Sequence, residues 1–217
     1  MTKNEASSMP RWVRKLLIPA LIGGVIGYAA SAAMLSYVDR AALDGLSVSA
    51  FIAAVVGVLY AVIGLIITVG TASPWLGARF LNVEDADELR EQKKVLTLSG
   101  ASMLLSGVAL LALALAAPDG PVPQAVALAV GGGGLVVGNV LSVLVYRSSD
   151  ELMLAVNLEA GALSYVLLLL VVGLWAMLAH LGYTAAPAPL DLLTLFYVVV
   201  LLASFIAVGR RGMLTIR

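Results

Sequence analysis

Apolar positions run along this chain in six continuous stretches, at about 17–38, 48–71, 95–117, 124–146, 160–183 and 190–208. Short polar segments, or segments carrying proline and glycine, part them. Each stretch holds about 20 apolar residues, enough at 1.5 Å per residue to cross ~30 Å of hydrocarbon as a helix. Because the runs do not alternate, helices are expected in place of the strands of an outer-membrane barrel. The reading is all-α: one integral membrane domain over 1–217, built as a six-helix transmembrane bundle. Ahead of the first stretch stand Arg11, Arg14 and Lys15, and Ala29 to Ala33 mimic a signal-peptidase site. The apolar run continues past them to Val38, whereas a signal peptide has an apolar core of about 7–15 residues. A retained helix is therefore expected there.

Composition agrees. Hydrophobic residues make up 61% of the chain and charged residues 12%, against roughly 25% charged in a soluble domain. Mean hydropathy is +1.03. The 13 basic and 13 acidic residues cancel, which argues against a nucleic-acid partner. Cysteine is absent, which removes disulfide and thiol chemistry.

The distribution of charge sets an orientation. With six crossings, every lysine and arginine except Arg40 falls on one side. Loops rich in Lys and Arg stay in the cytoplasm, so both termini are expected there, in a multi-pass protein of the inner (plasma) membrane. Residues 72–94 then form a cytoplasmic loop with a helical extension. Both inner connections carry an Asp-Glu-Leu triplet, at Asp87-Glu88-Leu89 and Asp150-Glu151-Leu152. Acidic residues suit a helix N-terminus, and Ser148 and Glu151 have capping-box spacing. Asp87, Glu88, Asp150 and Glu151 are thus solvated helix starts or a docking surface. On the outer side, 118–121 reads as a tight turn and Asp191 as a cap for the last helix.

Two stripes of small residues share one pattern: Gly23, Gly27 and Ser31, then Gly134, Gly138 and Ser142. Such faces let helices approach closely where lipid gives no hydrophobic drive. Their recurrence in spans one and four, which run in opposite directions, would also suit an inverted transporter repeat. The run Gly131 to Gly134 is either a close-packing surface or a break lining a cavity, which Asn139 would then face. Glu159 reads as an interfacial residue grouped with Asn157 and Arg147, or as a proton or cation site. His180 sits near the outer end of span five, as an anchor or a pH-sensitive group. Asp39 and Arg40 lie in an outer loop, pairing with each other or meeting an external ligand.

The inventory also excludes. All lysines, Lys3, Lys15, Lys93 and Lys94, lie outside the spans, so no Schiff base is expected within one. One histidine and no cysteine argue against bis-His haem, iron–sulfur clusters and structural zinc. There is no phosphate loop and no dinucleotide fingerprint, and no cofactor is expected. Gly100-Ala101-Ser102-Met103 with His180 superficially resembles the serine–histidine dyad of rhomboid intramembrane proteases. The final glycine of their Gly-x-Ser-Gly motif is missing. At 1.5 Å per residue Ser102 stands about 10 Å from the inner face and His180 about 30 Å, too far apart for proton transfer.

The expectation is a non-enzymatic accessory or scaffold subunit, or a homo-oligomer, associating through small-residue helix faces. Its partners would be the lipid bilayer and another membrane protein or a second copy. One alternative is a small transporter or channel with a polar site near Asn139. Another is a membrane-embedded enzyme acting on lipid through Glu159 or the outer acidic residues.

Overall fold

A computed structural model describes residues 46–72, 86–118 and 120–213, with side chains from Gln92 onward in the second segment. All belong to one compact unit, Leu43–Thr215. Its helices are α1 (Val48–Ala72), α2 (Ala86–Ala114), α3 (Gln124–Ser148), α4 (Glu151–His180) and α5 (Pro189–Arg210). Each contains a stretch long and apolar enough to cross a membrane. The described residues therefore hold five such helices, against six expected over the whole chain. The expected first span, 17–38, lies outside them, with Gly23, Gly27, Ser31, Asp39 and Arg40.

Several helix ends depart from the hydropathy boundaries, because backbone hydrogen bonding decides where a helix stops. α2 begins at Ala86, ahead of its apolar stretch, which is the helical extension expected within 72–94, with Asp87 and Glu88 in its first turn, where the dipole favours acids. α4 begins at Glu151, ahead of its apolar stretch, as the helix start expected at the second Asp-Glu-Leu triplet implies. Its cap is Asp150, whose carboxylate accepts from the Met153 N–H at 2.7 Å, and not the expected Ser148, which is still the last residue of α3. α4 stops at His180 rather than 183. Gly182 takes a left-handed φ of 79°, and the Tyr183 and Gly182 N–H groups donate back to the Leu178 and Ala179 carbonyls. That is the Schellman pattern, and glycine adopts its left-handed residue without a Cβ penalty. Gly212 ends α5 in the same way. At the start of α5, Asp191 is not the cap residue: Ala188 is. Asp191 instead accepts from the Ala188 N–H at 2.8 Å, with Pro189 in the first helical position it tolerates best.

The most extensive helix contact joins α1 to α2. Gly57 and Gly64 on α1 face Gly107 and Gly100 on the antiparallel α2. A Cβ on Gly64 would overlap the Leu104 backbone and lie 2.7 Å from the Gly100 carbonyl. A Cβ on Gly107 would overlap the Ala61 backbone and lie 2.6 Å from the Gly57 carbonyl. Backbone therefore touches backbone at both levels, the close approach that membrane helices exploit.

α2 also carries α3 on a second face. Gly131 abuts Leu113, and Gly134 abuts Ala109. Ser102, buried, donates to the Gly138 carbonyl at 2.9 Å and shares a 3.0 Å bond with Ser142. The stripe Gly134, Gly138, Ser142 is thus engaged within the chain. The glycine run does not break α3, which is continuous from Gln124 to Ser148; Gly132 and Gly133 face open space. α5 leans on α1 through Tyr60, whose hydroxyl donates to the Tyr197 carbonyl at 2.6 Å. The two rings meet edge to face at 5.1 Å. α4 packs on α5, with Val156, Ala160 and Ala207 buried together.

Candidate functional site

Where α3 and α5 stand apart above α1 and α2, a cleft of about 500 Å³ opens. Its polar lining is Tyr60 from α1, Ser102 and Ser106 from α2, Asn139 and Ser142 from α3, and Tyr197 from α5. Met103, Leu135, Phe196 and Val200 supply apolar walls. Helical periodicity explains the convergence: Ser102 and Ser106, like Leu135, Asn139 and Ser142, recur at three- and four-residue steps on one face.

Most of these groups already hold partners. Ser102 and Ser142 bond each other and the Gly138 carbonyl. Tyr60 bonds the Tyr197 carbonyl, and Ser106 lies beside Tyr197. Asn139 is exposed on the margin of the cleft, and its amide N–H donates to the Leu135 carbonyl at 2.8 Å. That is one of four hydrogen-bonding positions on a carboxamide. Every polar lining group is a hydroxyl or an amide, so the chemistry on offer is hydrogen bonding to a neutral or amphiphilic group.

Glu159 forms a separate site. Its carboxylate meets Arg211 at 3.0 Å and Arg210 at 3.7 Å, and the Arg211 Nε donates to it at 3.1 Å. This corrects the expected grouping with Arg147. The arginines that reach Glu159 follow from the turn ending α5, which brings that end beside α4. Asn157 is nearby through its backbone alone: its carbonyl accepts from the Tyr146 hydroxyl at 3.3 Å. His180 is exposed in the last turn of α4, and the indole of Trp175 donates to the Ala185 carbonyl at 3.0 Å. Asp150 is spent on capping, and Glu151 is exposed beside it. Asp87 and Glu88 lie in the first turn of α2, and their side chains fall outside the description. Among the described residues no three His, Cys, Asp or Glu side chains gather as metal ligands.

Sequence reasoning found Asn139, Gly138 and Ser142; it weighed Ser102 only as a protease-like serine and did not place it, Ser106 or Tyr197 opposite them. The signal for Ser102 and Ser106 was a second small-residue face, four residues apart, matching that of α3. Tyr60 and Tyr197 are separated too widely along the chain for any local pattern to pair them. Comparison with protein-family models, with curated proteins and with solved structures finds no match.

Proposed function

We propose that this chain is a non-enzymatic, multi-pass inner-membrane protein that works by association, as an accessory or scaffold subunit or with its own copies. The proposal includes a six-span topology with both termini in the cytoplasm, supported by the one-sided clustering of basic residues. One observation carries the associative reading. α3 and α4 are joined by only Ser149 and Asp150, yet they diverge. Antiparallel helices with so short a connection ordinarily pack along their length. Here the Tyr146 hydroxyl touches Asn157 near the joint, and among the described helices the extensive packing of α4 is against α5. Only 6% of the most apolar stretch of α4 is buried.

Among the described helices, the wedge between α3 and α4 thus leaves two long helix faces without a neighbour. Close contact with a further helix there would supply the dispersion and polar contacts that drive association in lipid. The test is purification of the full chain from native membranes in mild detergent, followed by mass measurement and identification of co-purifying proteins. A stable complex or oligomer is expected. A lone monomer with nothing bound would overturn the reading.

The cleft favours a second reading, a small transporter or channel with its polar site near Asn139. Reconstituted liposomes would then pass a small neutral solute, and Asn139→Leu would slow that flux. Liposomes no leakier than protein-free controls, across a panel of such solutes, would remove it.

A further inference from the structure

We draw no further inference here: the strongest candidate, the cleft between α3 and α5, belongs to the site already described, and with Ser102, Ser142, Tyr60 and Asn139 already bonded to one another or to neighbouring carbonyls nothing in the structure shows what covers it.

Discussion

The α1–α2 contact and the outer flank of α3 and α4 use the same residue type to opposite ends. In the first, Gly57, Gly64, Gly100 and Gly107 are each met at close range, with backbone atoms of the partner helix within 3.0 Å of where a Cβ would stand. On the second, Gly132, Gly133 and Gly173 meet nothing within 4 Å. A glycine in a membrane helix therefore marks either a contact already made or a face without a neighbour in the described chain. Only the surroundings tell the two apart. The closed region holds the described helices together, and the open one is where the proposed association would occur.

The sharpest way to break this contrast is to fill the closed side. Gly64→Leu or Gly107→Leu drives a side chain into the backbone of the opposite helix, where relaxation requires the helices to part. A loss of about 3 kcal/mol or more is expected. Thermal unfolding in detergent, followed by intrinsic tryptophan fluorescence, would show a collapsed transition or aggregated protein. Unchanged melting would mean that α1 and α2 do not meet at these glycines.

Removing hydrogen bonds should cost less. Ser102→Ala frees the Gly138 carbonyl and Ser142 between α2 and α3, and about 1 kcal/mol is expected. Tyr60→Phe removes the bond to the Tyr197 carbonyl while keeping the edge-to-face rings, again at about 1 kcal/mol. If Tyr60→Phe alone detaches α5, seen as new protease cleavage between α4 and α5, the rings contribute less than their geometry implies.

Glu159→Gln sits further down the scale. The carboxylate is 30% exposed and the Arg211 side chain 33%, so solvent screens the pair and its loss should cost about 1 kcal/mol or less. The wild-type protein should lose the same increment as salt rises; a variant melting as low in high salt as in low salt, relative to wild type, would point to packing instead.

The smallest effect belongs to the open side. Gly173→Ala has room for its methyl group and should be neutral or stabilising by up to ~1 kcal/mol. Destabilisation there would reveal a neighbour pressed against α4.

Much of the architecture was legible because a bilayer constrains it: apolar runs of fixed length must become helices. The placement of five of the six stretches as helices followed from hydropathy alone. The ends needed other signals: the Asp-Glu-Leu triplets pointed to the starts of α2 and α4, whereas hydropathy does not register that Asp150 in place of Ser148 makes the cap or that a left-handed Gly182 stops α4. The stripe at Gly134, Gly138 and Ser142 was visible because its four-residue step is a familiar signal. The wider, seven-residue spacing of Gly57 with Gly64 and of Gly100 with Gly107 passed unnoticed, although the two pairs match across an antiparallel contact. Glu159 was assigned the wrong arginine because Arg147 is near in sequence. Arg210 and Arg211 become neighbours only once α5 folds back along α4. Asn139 stood out as a polar residue at depth, but its place on the margin of a cleft needed three dimensions.

The central claim is that this chain does its work in company, and dilution in a bilayer tests it most directly. The fluorescently tagged full chain is reconstituted into lipid at falling protein-to-lipid ratios, and photobleaching steps are counted per spot. The account predicts that spots with more than one step persist below the density at which chance co-occupancy vanishes, or that a co-purified partner travels with single chains. Single steps at every density, with no partner carried along, would contradict it.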